Sequence, residues 1–124
     1  MVTTSVRDPC VRAASRHNGA VHAAAMTFDL HVPESRSLKA KRAAIRPIVD
    51  GLRHRFRISV AEVDHQEQWQ RATIGVALVA ESDGRVQELL DAVERFVAGA
   101  PDVELLGTEV AWLDPDGVLE SERA

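Results

Sequence analysis

The residue types able to do chemistry gather in two neighbouring stretches. From Arg36 to Arg57 the chain reads RSLKAKRAAIRPIVDGLRHRFR, with eight of its fifteen Lys and Arg residues and a single acid, Asp50. Eight cations against one anion leave +7 in a protein whose formal net charge is −4. A concentrated cationic run suits phosphate groups, which it would bind with strong salt dependence and no reading of base sequence. At about 100° per residue, Lys39, Arg42, Arg46 and Arg53 gather on one flank of a helix. Arg36 and Lys41 adjoin them, and these six are the candidate nucleic-acid contacts; Arg55 and Arg57 stand near. The plainer alternative is a solvated helix face, or one paired with acids of a second helix.

The second stretch follows at once. Glu62, Asp64, His65 and Glu67 crowd together. Carboxylates and imidazole serve as divalent-metal ligands and as general acids and bases. Asp64 and His65 are the candidates for either role, although no recognised ligand spacing is present and no two histidines stand at i, i+4. The plainer expectation is a loop that caps its own turn and pairs with Arg57 or Arg71. Trp69 comes next and offers an aromatic face to a base or a protein; its plainer role is a lid closing the end of the core. Gly75, Gly84, Gly99 and Gly107 are isolated, so no phosphate-cradling loop is formed. Cys10 is the single cysteine, which excludes an internal disulfide framework and a cysteine-based zinc cluster. No catalytic set, cofactor motif or small-molecule substrate emerges, and a non-enzymatic protein without a cofactor is expected.

These residues need elements to position them. His22 to Val32 alternates as a strand, with Met26, Phe28, Leu30 and Val32 inward, and Pro33 ends it. Ser37 is the expected N-cap of the basic helix. Leu38, Ile45, Ile48, Val49, Leu52 and Phe56 form its apolar stripe. Ala40, Ala43, Pro47 and Gly51 lie opposite, a small-residue back that could pack a partner. Pro47 should bend or interrupt the helix. Arg57 to Val63 and Ala72 to Ala80 read as strands two and three. Asp83 then caps a second helix with an apolar face of Val86, Leu89, Leu90, Val93, Phe96 and Val97. That helix carries Glu88, Asp91 and Glu94 outward and stops at Gly99 and Pro101. Val103 to Leu113 is strand four, with Val110 and Trp112 inward.

The order β-α-β-β-α-β predicts an α+β, ferredoxin-like sandwich with two helices on one face of a four-stranded antiparallel sheet. The outward residues of strands one and three are Ala25, Thr27, Asp29, His31, Thr73, Gly75 and Ala77. None is aromatic, which argues against base stacking on the sheet. A flat face of small residues would also let two sheets pack in a homodimer.

The 124 residues suit one domain, and 45% apolar content supplies a core. The expected organisation is a disordered extension at 1–20, a domain at 21–113 and a frayed acidic tail at 114–124. A start of translation at Val21 is an alternative origin for the extension. Residues 1–20 lack the apolar stretch of a secretory signal. No apolar run reaches the roughly 20 residues of a membrane span, and a cytoplasmic location is expected. From Glu81 onward twelve acids meet three bases, hence −9, so the charge is polarised along the chain.

At SLKAKR (Ser37–Arg42) and VAEVDHQEQWQRATIGVALV (Val60–Val79) the chain resembles the YlxP-like family of bacterial proteins of unknown function. The resemblance covers about Val21 to Trp112. It implies the ferredoxin-like fold and, by association with translation genes, ribosomal RNA or the ribosome as partner. It implies no catalytic residues. Glu67 and Gln68 stand where the family often has Asp and an apolar residue.

Overall fold

The computed structural model describes residues 21–113 and 119–123. Strand β1 (His22–His31) alternates as its sequence demands, burying Ala24, Met26, Phe28 and Leu30 on one face. Helix α1 (Leu38–Gly51) starts at Ser37, whose Oγ accepts the Ala40 N–H at 2.9 Å. It continues as a π-helical turn, Leu52–Phe56. Arg57 ends that turn in the left-handed region, φ 57°, with its N–H donating to the Arg53 carbonyl. The helix is not interrupted at Pro47; the ring is exposed, so the lost backbone bond is tolerated there. The irregularity comes at Leu52 instead.

Strands β2 (Ser59–Asp64) and β3 (Arg71–Ala80) follow, then α2 (Asp83–Ala98) and β4 (Glu104–Leu113). The cap of α2 is Ser82 and not Asp83: the Ser82 Oγ accepts the Arg85 N–H at 3.1 Å. Asp83 occupies the first turn, where its charge suits the helix dipole, and its carboxylate meets His22 Nδ1 at 2.7 Å. A further strand, β5 (Leu119–Arg123), pairs with β4. This corrects the expected fraying of 119–123. The extension at 1–20 lies outside the described residues.

The sheet runs β2-β3-β1-β4-β5, antiparallel throughout. The fold is α+β and ferredoxin-like, with β5 added at the β4 edge. Phe28, Leu30 and Ile74 from the sheet meet Ile48 and Leu52 of the first helix and Val86, Leu90, Val93 and Val97 of α2 in one core. Val110 and Trp112 pack against it half-buried. Phe96 of α2 lies over Gly51, where an added Cβ would stand 2.4 Å from its Cζ. The small-residue back of α1 therefore serves α2 at Gly51, while Ala40, Ala43 and Pro47 remain exposed.

Candidate nucleic-acid interface

Helical phase places the basic flank. The core side of α1 is defined by Ile45, Ile48 and Leu52, and α2 sits on the side of Gly51. Lys39, Arg42, Arg46 and Arg53 fall on the other side, above the edge strand β2. The Arg53 Nη2 donates to the Val60 carbonyl at 2.9 Å, which fixes that orientation. Arg36, Lys39, Arg42, Arg46 and Arg53 are all exposed. Among the described residues, the side chains of Arg36, Lys39, Arg42 and Arg46 have no hydrogen-bond or ion-pair partner. Lys39, Arg42 and Arg46 line a shallow groove of about 600 Å³ with Ala43, Pro47 and one acid, Asp50.

The acids of α2 do not neutralise this row. Glu88 pairs with Arg85 at 3.0 Å and Asp91 accepts from Gln87 at 2.8 Å, both within α2. Arg55 leaves the flank for another purpose, with its guanidinium 5.4 Å from the centre of the Phe96 ring. Phe96 also meets Phe56 edge to face, with centroids 5.8 Å apart.

Lys41 is a correction. Its side chain is fully buried and does not belong to the phosphate row. The ammonium donates to Glu62 Oε2 at 2.9 Å, to the His65 carbonyl at 2.7 Å and to the Arg71 carbonyl at 3.2 Å, with Gln66 O at 3.4 Å. A buried cation is tolerated only when paired and fully hydrogen-bonded, and these partners meet that demand. Sequence phase held the signal: Lys41 stands three residues after Leu38 and four before Ile45, inside the apolar stripe. Glu62 likewise follows Val60 at the inward parity of β2. Glu62 therefore pairs with Lys41, and neither Arg57 nor Arg71 takes the expected role.

Lys41 thus pins the β2–β3 connection from inside. His65 sits there at φ 60°, its N–H bonded to Asp64 Oδ1 at 2.7 Å. Its ring reaches over the outer sheet face. Thr73 Oγ1 donates to Asp29 Oδ1 at 2.7 Å and meets His65 Nδ1 at 2.9 Å. Thr73 has one proton and gives it to the carboxylate, so Nδ1 is the donor to Thr73. This order, Asp–Thr–His, is the reverse of one in which imidazole removes a hydroxyl proton from a nucleophile. The Asp64 carboxylate is taken by the His65 backbone N–H and the His65 ring by Thr73, so the two side chains do not act together. Among the described residues, no three His, Cys, Asp or Glu side chains are grouped to hold a metal ion.

Trp69 is another correction. It is 54% exposed and closes no core. The outer face carries Ala25, Thr27, Asp29, His31, Thr73, Gly75 and Ala77 as its alternation predicts, yet it is not uniformly open. Thr73 is 8% exposed beneath His65, and Val63 covers Gly75, where a Cβ would meet its Cγ1 at 3.1 Å. The other half, with Ala25, Ala77 and Val79, is exposed.

The two stretches SLKAKR and VAEVDHQEQWQRATIGVALV thus meet in space through Lys41. The family model described as "Protein of unknown function (DUF503)" matches residues 23–110. The chain belongs to this family. It is 33% identical over 76 residues to "Uncharacterized protein YlxP" of Bacillus subtilis (strain 168), across 61% of this chain and 83% of that protein. For this member of the DUF503 family, the described residues include no helix long and apolar enough to cross a membrane.

Proposed function

We propose that the protein is a non-enzymatic, cytoplasmic accessory factor that contacts RNA, with ribosomal RNA or the ribosome as the target and the flank of α1 as the contact. One observation carries the reading. Arg36, Lys39, Arg42 and Arg46 form an exposed row without acid partners among the described residues, while Glu88 and Asp91 of α2 are occupied within their own helix. Four cations held free of partners are ready to displace counterions from phosphate. At roughly −0.7 per neutralised phosphate for a single strand, four contacts give a log–log salt slope of about −3.

The test is co-sedimentation of the full chain with ribosomal subunits and with free ribosomal RNA, at low and high salt. A variant with Arg36, Lys39, Arg42 and Arg46 changed to Glu runs alongside. Salt-sensitive pelleting that the variant loses supports the reading. A wild-type chain that stays in the supernatant at low salt overturns it, as does a variant that pellets unchanged.

A second reading rests on the open half of the outer face, where Val79 is 68% exposed beside Ala25 and Ala77. That surface suits a homodimer, whose burial of apolar area would persist at high salt. Sedimentation velocity of the chain alone in high salt separates the two readings.

A further inference from the structure

The loop that carries the most exposed aromatic side chain packs at the N-terminal end of α1, where the row of unpaired cations begins. Trp69 lies in the β2–β3 connection with 54% of its surface exposed. The backbone that carries it is held from several sides. Lys41 binds the carbonyls of His65 and Arg71 on either side of the loop. The Gln68 N–H donates to the His65 carbonyl at 3.1 Å, and the Val32 N–H donates to the Gln70 carbonyl at 2.9 Å. Gln70 Nε2 donates to the Ser35 carbonyl at 3.1 Å.

That last bond decides the placement. Gln70 follows Trp69 in the chain, and Ser35 precedes Arg36, the first cation of the unpaired row. The loop that carries the indole therefore lies beside the N-terminal end of α1, where Arg36 and Lys39 lead into Arg42 and Arg46. From Lys39 to Arg46 the row extends roughly 10 Å along the helix, at about 1.5 Å per residue. An exposed indole on a held backbone loses little backbone freedom on stacking, and every nucleobase has a face to stack. The nearby acids Glu34 and Glu67 are exposed and engage neither group.

Building on the RNA reading above, we propose that the ligand is single-stranded RNA, with one unpaired base stacked on Trp69 and the adjoining phosphates along Arg36, Lys39, Arg42 and Arg46. A cationic row alone would accept duplex and single strand alike. An aromatic at its end selects bases that are free of a stack. The sheet face plays no part in this mode, because its residues are small or held by hydrogen bonds.

The full chain is titrated with a labelled single-stranded RNA of about ten nucleotides and with a duplex of the same length, at low salt. Anisotropy reports binding and tryptophan fluorescence reports stacking, against a background from Trp112 packed on the core. The single strand should bind more tightly than the duplex and quench the fluorescence. Trp69→Ala should weaken single-strand binding about 5- to 140-fold with an unchanged salt slope, and Trp69→Phe should keep most of the affinity. Unchanged unfolding midpoints for both variants exclude a structural cause, since the side chain is exposed. Salt-sensitive binding that ignores Trp69 and prefers neither form overturns the stacking proposal and leaves the cationic row standing. Absence of RNA binding at low salt overturns both. Pelleting with ribosomal particles that needs Trp69, without any effect of the variant on naked RNA, makes Trp69 a protein contact and overturns the proposal.

Discussion

Replacing Lys41 with methionine keeps most of the apolar stem and removes the ammonium. Four acceptors lose their donor: Glu62 Oε2, the His65 and Arg71 carbonyls and, at 3.4 Å, the Gln66 carbonyl. Summing about 1.5–3 kcal/mol for each charge-assisted bond would overstate the loss, because native burial already desolvates the ammonium. Removing one partner of a buried pair costs about 3–5 kcal/mol. The Glu62 side chain retains 20% exposure, so water can reach it and the lower half of that range is expected. A loss of about 3 kcal/mol is a large share of a typical stability of 5–15 kcal/mol. It corresponds to a fall in Tm on the order of 12–24 °C for a domain of this size. Urea unfolding should show the lowered midpoint with an unchanged m-value. Amide exchange in Lys41→Met should accelerate first between His65 and Arg71, because those carbonyls are the ones released. Adding Glu62→Leu should recover part of the loss, and only part, since the carbonyls remain unpaired. A variant that loses under about 1 kcal/mol, with exchange at 65–71 unchanged, refutes the assignment of Lys41 as the pin of this loop.

Two further perturbations test the packing that positions the site. Gly51→Ala places a Cβ against the end of the Phe96 ring; overpacking of about 1–3 kcal/mol should outweigh the gain in helix propensity of up to about 1 kcal/mol. The double variant with Phe96→Leu should restore the unfolding midpoint, and a stabilised single variant would show that α2 does not seat on Gly51. Thr73→Val removes the hydroxyl that joins Asp29 to His65. It should cost about 1–3 kcal/mol and release the His65 ring, read as a shifted imidazole NMR resonance; an unmoved resonance would show that His65 is held by something else.

Strand and helix positions were legible because they depend on local periodicity. Met26, Phe28 and Leu30 point inward in β1 since a strand alternates, and Ile45 and Ile48 point inward in α1 since a helix repeats every 3.6 residues. Ser37 was legible as a cap from its place before an apolar stripe. Asp83 was misread because two adjacent cap-competent residues, Ser82 and Asp83, differ only in which hydroxyl or carboxylate reaches the free N–H groups. The strand at 119–123 was missed because acidic residues disguise a segment whose stability comes from an edge partner, β4.

Charge alone grouped Lys41 with the other cations of α1, and that count could not separate them. Its phase within the apolar stripe was present in the sequence. Its reach to Glu62 and to the carbonyls at 65 and 71 needed the β2–β3 connection folded against the helix. Of the two readings of Trp69, a lid on the end of the core fails, because hydrogen bonds from Gln68 and Gln70 hold its loop where the side chain is 54% exposed. The sequence by itself determined the order of elements, the buried faces and the row of cations, since each follows from the spacing of neighbours along the chain. Only the tertiary structure decided which cations are free and which is spent inside, and where the indole stands. Those outcomes depend on contacts between residues far apart in sequence, which local pattern does not encode.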